Sequence, residues 1–147
     1  MNRIIRLFAF LSLLGMSLYG SCSNNSNTIF YCMTKKGKQI EVCDNKSTIE
    51  YSFGKPKTKP ELVINVPRQQ VTTTQWNGMG SFMSYSIDIP NANTVYNVFW
   101  GVDRMNESHA IEAGINVFIN RKQVATVQCS DKIESNIEGI DLAPTPE

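Results

Sequence analysis

The chain has few of the side chains on which enzymes usually rely. Its 147 residues include one histidine, His109, so a catalytic triad or a histidine-ligated metal site must use that residue or do without. His109 stands beside Glu107 and Glu112 in a polar segment, which is typical of an exposed loop. The acidic residues show no paired spacing of a glycosidase or calcium loop, and Gly78-Met79-Gly80 is too short for a phosphate-binding loop. We therefore predict no enzyme activity, no catalytic residue, no metal site and no cofactor.

The chain also lacks an excess of positive or negative charge. The chain carries 14 Lys and Arg against 13 Asp and Glu, a formal net charge of +1. A dedicated nucleic-acid binder would carry a basic surplus to neutralise phosphates. Nucleic acid is therefore excluded as an expected partner.

The longest apolar run is too short to cross a bilayer comfortably. It covers residues 7–18, is interrupted by Ser12, Gly15 and Ser17, and falls short of the roughly 20 apolar residues of a spanning helix. Arg3 and Arg6 precede it, which is the pattern of a secretory signal. We predict a signal peptide over residues 1–21, and hence a protein of the periplasm or of the outer membrane facing it. A membrane anchor over residues 4–19 is the alternative.

Two processing routes remain open at the end of this signal. In the first, Cys22 is lipidated, residues 22–28 form a flexible tether, and the lipid anchor is the only contact with a membrane. Tyr19 occupies a position at which bacterial lipoproteins normally carry a small aliphatic residue. In the second route, a cut near Ser21 or Ser23 releases a soluble protein.

The remaining sequence predicts a single all-β domain over residues 29–130. Short segments rich in Val, Ile, Thr, Tyr and Phe alternate with Gly, Pro, Asn and Lys clusters at a spacing of roughly ten residues. We expect a small antiparallel barrel or sandwich of about eight or nine short strands, near 29–34, 39–43, 48–53, 61–66, 71–76, 81–89, 95–102, 115–119 and 123–128. Residues 131–147 lose the pattern and end in Ala-Pro-Thr-Pro-Glu, which indicates a disordered tail.

The first hairpin decides how the cysteines pair. A three-residue loop at Lys35-Lys36-Gly37, with Gly37 left-handed, puts Cys32 on the apolar face. In the last strand Cys129 also shares a face with apolar residues, so we favour a disulfide between Cys32 and Cys129. A four-residue loop at 36–39 would instead place Cys32 opposite Cys43 and join the hairpin to itself. A reactive thiol at Cys43 would need a basic partner, and the sequence indicates none.

A resemblance to exported proteins covers most of the predicted domain. The stretch from Cys32 to Asp44, with Tyr51-Ser-Phe-Gly54 and Pro60-Glu-Leu-Val-Ile-Asn-Val-Pro67, resembles a group of small exported proteobacterial proteins with no assigned activity. In layout the chain is also similar to the membrane-bound inhibitors of C-type lysozyme, which are small eight-stranded barrels. The shared features are an aromatic-x-Cys before the first hairpin, here Phe30-Tyr31-Cys32, and a cysteine in the last strand, here Cys129.

The loops of those inhibitors match less closely. Their terminal Phe-Trp-x-Lys-Gly turn has a loose counterpart in residues 118–122, and their inhibitory Ser-Gly-x-x-Tyr loop is absent from the region 80–85. The contacts that carry inhibition in that family therefore have no counterpart in this sequence. The loop around Trp76, Asn77, Met79 and Ser81 combines an aromatic, a flexible tip and a methionine, as a loop that enters a partner's cleft does. The alternative is a tight turn at Asn77-Gly78 with Trp76 in the core.

Basic residues at turns would suit an acidic target. They gather at Lys35, Lys36 and Lys38, at Lys55, Lys57 and Lys59, and at Arg121 with Lys122, which we add to the expected binding residues. A muramidase cleft, built around two carboxylates, is one such target. We expect an exported binding protein that inhibits or neutralises a lysozyme-like enzyme or a delivered toxin in the periplasm. The alternative is a structural envelope lipoprotein without catalytic activity.

Overall fold

Ten β-strands and one short 3-10 helix make up residues 22–147, the part of the chain that the computed structural model describes. The strands are β1 (Asn27–Thr34), β2 (Gln39–Asp44), β3 (Thr48–Gly54), β4 (Leu62–Pro67), β5 (Thr72–Thr74), β6 (Phe82–Asn91), β7 (Thr94–Asp103), β8 (Ile111–Ile119), β9 (Lys122–Ser135) and β10 (Ala143–Pro144), with the 3-10 helix at Arg68–Gln70. The predicted all-β class is confirmed, with ten strands in place of eight or nine. The predicted signal peptide, residues 1–21, lies outside the described residues.

All ten strands belong to one curled sheet in the order β10-β5-β6-β7-β8-β9-β1-β2-β3-β4. Neighbouring strands run antiparallel, except that β10 is parallel to β5. The long β9 holds the two halves together, because its first part pairs with β8 and its second part with β1. The sheet therefore curls at β9 and brings the β1–β4 half to face the β5–β8 half.

The first hairpin has the geometry of a three-residue loop. The Thr34 N–H donates to the Lys38 carbonyl at 2.8 Å, and Gly37 adopts a left-handed φ of +71°. Glycine has no Cβ and accepts this conformation without steric cost. The register places Cys32 opposite Ile40, so Cys32 does not face Cys43.

The core lies between the two halves of the curled sheet. Its side chains alternate along each strand, and those fully shielded from water include Phe30, Ile40, Val42, Ile49, Ile87, Ile89, Val98 and Ile115. Tyr51 of β3 meets Tyr96 of β7 across the interior, with ring centroids 5.2 Å apart. This contact shows directly that the halves close on each other.

Two disulfides fasten the described chain. A disulfide joins Cys32 to Cys129, whose Cα atoms are 5.8 Å apart, and the favoured pairing is therefore confirmed. The second bond joins Cys22 to Cys43. Disulfides of this kind fit an oxidising compartment. Among residues 22–147, no helix has the length and apolar character needed to traverse a membrane.

The predicted disordered tail at residues 131–147 is wrong. Strand β9 continues to Ser135, and Ile137 is completely buried in the core. The chain then crosses to β5, where the Thr145 N–H donates to the Thr73 carbonyl at 2.8 Å. The segment is ordered by backbone pairing, by the buried Ile137 and by Ile133, Ile140 and Leu142, which pack partly against the core. The uneven spacing of these residues leaves little periodic pattern in the sequence.

The prediction of a flexible tether at residues 22–28 is also wrong. Ser23 and Ser26 form a tight turn in which the Ser26 N–H donates to the Ser23 carbonyl at 2.9 Å, and β1 already begins at Asn27. The Cys22 sulfur is bonded to that of Cys43. The segment is thus folded back onto the sheet.

Candidate functional site

The loop between β5 and β6 is held in a fixed shape by its own side chains. The indole N–H of Trp76 donates to the Met79 carbonyl at 2.9 Å, and the Met79 N–H donates to the Asn77 side chain at 3.0 Å. Gly78 and Gly80 adopt left-handed φ angles of +84° and +81°. These contacts close the loop without help from a partner.

Arg104 joins this loop to the neighbouring loop between β7 and β8. Its guanidinium carbon lies 4.4 Å from the centroid of the Trp76 ring, and its Nη2 donates to the Gly80 carbonyl at 3.3 Å. The Arg104 N–H also donates to the Ser81 carbonyl at 2.9 Å. An arginine over a tryptophan face gains a cation–π attraction, and its side chain loses little further freedom on binding. The cation is therefore positioned in advance.

The second loop is fixed in the same way. The Met105 N–H donates to the Asp103 carboxylate at 3.0 Å, and the Ser108 N–H donates to the Asn106 side chain at 3.0 Å. A ring nitrogen of His109 lies 3.2 Å from the Arg104 carbonyl oxygen. His109 thus belongs to an exposed turn whose hydrogen bonds are local.

Large apolar side chains are also exposed at this end of the sheet. Met79 is 73% exposed and Met105 is 79% exposed, while Phe82 and Ile111 are 42% and 48% exposed. The Phe82 ring lies over Gly101, where a Cβ would come within 2.6 Å of the ring. We call residues 75–82 and 104–111 the paired-loop surface. Methionine, aromatic residues and arginine are enriched in protein-binding surfaces.

The structure divides the predicted binding residues between two ends of the sheet. Trp76, Asn77, Met79 and Ser81 all lie on the paired-loop surface. Trp76 is half-buried and packs partly on the core. Its environment therefore combines the two alternatives, a side chain of an exposed binding loop and a side chain of the core.

Arg121 and Lys122 are not part of that surface. They follow Asn120 in the turn from β8 to β9, and the Asn120 N–H donates to the Asn93 carbonyl at 3.0 Å. This turn lies at the opposite ends of β7 and β8 from the loop that contains Arg104. Arg121 and Lys122 therefore lie apart from Trp76, and their role in binding stays a prediction.

The sequence did not point to Arg104, the residue that joins the two loops. The register of the β6–β7 hairpin could have located it, because a turn at Ala92-Asn93 places Asp103 opposite Phe82. Arg104 then follows immediately beside the Trp76 loop. Met105 follows Arg104 in the same loop, and Ile111 pairs with Val102 at the end of that loop.

A second concave region lies on the outer face of β1–β3. It encloses about 950 Å³ and is lined in part by Tyr31, Met33, Glu41 and the Cys22–Cys43 disulfide. Ligand atoms of Cys22, Glu41 and Cys43 come within 4.8 Å of one another, the one group of potential metal ligands found in residues 22–147. Because the two sulfurs are bonded to each other, they cannot act as thiolate ligands in this state.

Comparison of the chain with protein-family models, with curated proteins and with solved structures gave no match.

Proposed function

We propose that this protein is an exported binding protein that inhibits or neutralises an enzyme acting in the periplasm. The paired-loop surface is the part that enters the enzyme's cleft. The observation that carries this proposal is the stacking of the exposed Arg104 on Trp76, in a pair of loops that also exposes Met79 and Met105.

Charge complementarity supports an enzyme with a carboxylate-lined cleft as the partner. A glycoside-cleaving enzyme of the muramidase type carries two carboxylates at its reaction centre. A guanidinium can pair with a carboxylate in a bidentate manner, and the methionines and Phe82 would exclude water around that pair. Because the loop is already closed by internal hydrogen bonds, little conformational entropy opposes docking.

The two disulfides are consistent with such a role. Proteins that act outside the cytoplasm meet an oxidising environment in which disulfides persist. The resemblance to lysozyme inhibitors points to the same class, with the Trp76 loop taking the place of the inhibitory loop that this chain lacks.

A turbidity assay with bacterial cell walls tests the proposal. We expect micromolar protein to slow clearing by a C-type lysozyme or by another muramidase. Arg104→Ala should weaken inhibition by about 10- to 100-fold, the range of an arginine at the centre of an interface. Arg121→Ala is the matched control, because it removes an arginine side chain at the opposite ends of β7 and β8. This variant should inhibit like the wild type.

Arg104→Lys separates charge from stacking geometry. Lysine keeps the positive charge and loses the planar fork, so we expect inhibition between that of the wild type and that of Arg104→Ala. Absence of protection against every muramidase tested at micromolar protein would contradict the proposal and favour the structural envelope role.

A further inference from the structure

Cys22 lies against the outer face of the sheet, beside β1 and β2. Its Cα is 5.7 Å from that of Cys43, and the Thr28 hydroxyl is 3.5 Å from its sulfur. Cys43 is buried, with 5% of its surface exposed, and Cys22 is half-buried. The turn at Ser23 and Ser26 brings the start of the described chain back to this position.

We propose that Cys22 forms a disulfide in the mature protein and is not lipidated. This proposal rests on the proposed export of the protein. A cysteine sulfur can form either a disulfide or the thioether of a lipid anchor, and the two are mutually exclusive. Formation of the disulfide removes two protons and two electrons from the Cys22 and Cys43 thiols. A disulfide-bearing oxidant in the exported compartment accepts them and becomes a dithiol.

The number of cysteines supports this assignment. Cys32 and Cys129 are joined to each other, which leaves Cys22 and Cys43 as the second pair. Residues 22–147 contain no free cysteine. Lipidation or removal of Cys22 would leave Cys43 as an unpaired, nearly buried thiol in an oxidising compartment.

The length of chain ahead of β1 supports it as well. Residues 22–26 would span at most about 18 Å if fully extended. A lipid on Cys22 would therefore hold the start of β1 within that distance of the membrane and bring the outer face of β1 and β2 close to the bilayer. That face carries Glu41 and contributes to the cleft of about 950 Å³. Cleavage on the N-terminal side of Cys22 would instead release a soluble protein with this face free.

Intact-mass analysis of the full-length chain, expressed with its own leader in a Gram-negative host, tests the proposal. Periplasmic and membrane fractions are alkylated with and without prior reduction. We expect a soluble protein that retains Cys22, takes up no alkyl group before reduction and takes up four after it. Cys43→Ser should expose one alkylatable thiol, at Cys22. Cys22→Ser should be exported and cut like the wild type, with one alkylatable thiol at Cys43.

Several results would overturn the assignment. A membrane-bound species with a diacylglyceryl mass on Cys22, or a mature chain that begins after Cys22, would do so. Accumulation of uncut Cys22→Ser precursor beside normally processed wild type would show lipoprotein processing. Uncut wild-type precursor in the cytoplasm would instead overturn the export itself. None of these outcomes depends on the inhibition assay, so failure of the proposed inhibitory role is recognised separately.

Discussion

The Tyr85 hydroxyl donates a hydrogen bond to the Glu138 carboxylate at 3.1 Å and ties the C-terminal segment to β6. Burial raises the pKa of Tyr85, and the bond to Glu138 raises it further. One residue earlier, Ile137 is fully buried, and its carbonyl accepts a hydrogen bond from the Gln75 side chain at 3.0 Å. The segment after β9 is therefore a structural element of the domain.

We expect Ile137→Ala to lower the free energy of unfolding by about 2–4 kcal/mol, because it leaves a cavity in the core. Urea unfolding followed by fluorescence measures the loss. Ile119→Ala, at a side chain 38% exposed, is the control and should cost below about 1 kcal/mol. Equal losses in the two variants would mean that the C-terminal segment does not pack in solution.

The two disulfides should contribute unequally to stability. A crosslink restricts the unfolded chain more when it closes a longer loop, and the sequence separations are 97 residues for Cys32–Cys129 and 21 for Cys22–Cys43. We expect Cys32→Ala with Cys129→Ala to cost about 4–5 kcal/mol, and Cys22→Ala with Cys43→Ala to cost about 3 kcal/mol. Denaturant unfolding of both double variants gives the order, and the reverse order would contradict the chain-entropy explanation.

The features that could be predicted from the sequence are those set by local pattern. The alternation of apolar residues defined most strands, and Lys35-Lys36-Gly37 set the register that turned Cys32 inward toward its partner Cys129. A glycine that must be left-handed in a short loop is a local requirement, and it is visible without the rest of the fold.

The features that were missed depend on contacts between distant parts of the chain. Ile137 lies in a segment whose apolar residues, Ile133, Ile137, Ile140 and Leu142, are spaced four, three and two residues apart, so no strand alternation marks it as core. Arg104 gains its role only from Trp76, which belongs to another loop. Cys22 follows the apolar run of the predicted signal, and its sequence context points to processing and not to pairing with Cys43. Tertiary geometry decides each of these cases.

Gly114 should tolerate substitution far less than Gly37. A Cβ at Gly114 would overlap the Val127 carbonyl oxygen in β9, whereas a Cβ at Gly37 meets no atom within 4 Å. Both residues have a positive φ, +71° at Gly37 and +156° at Gly114, so each variant loses about 1–3 kcal/mol to backbone conformation. We expect Gly114→Ala to cost about 3 kcal/mol or more, because the clash with β9 adds to that loss. Thermal unfolding of the two alanine variants compares them, and similar melting temperatures would contradict the close approach of β8 and β9.

Ionisation of Tyr51 should weaken the fold at high pH. Burial raises the pKa of Tyr51 well above the ordinary tyrosine value of about 10, and Tyr96 beside it adds to the increase. Below pH 10 the folded and unfolded chains both keep the proton, so this residue contributes no pH dependence. Above pH 10 the unfolded chain loses the proton while the folded chain keeps it, and the free energy of unfolding falls by up to about 1.4 kcal/mol per pH unit.

Tyr51→Phe removes this ionisation and keeps the ring in the core. From pH 7 to pH 9 we expect a constant difference in stability between wild type and variant in urea unfolding. Between pH 10 and pH 11 the wild type should lose about 1 kcal/mol more than Tyr51→Phe. Parallel curves through pH 11 would mean that Tyr51 ionises as readily in the folded protein as in the unfolded chain. Such a result would be incompatible with the packing of Tyr51 against Tyr96, since that packing excludes the water that stabilises a phenolate.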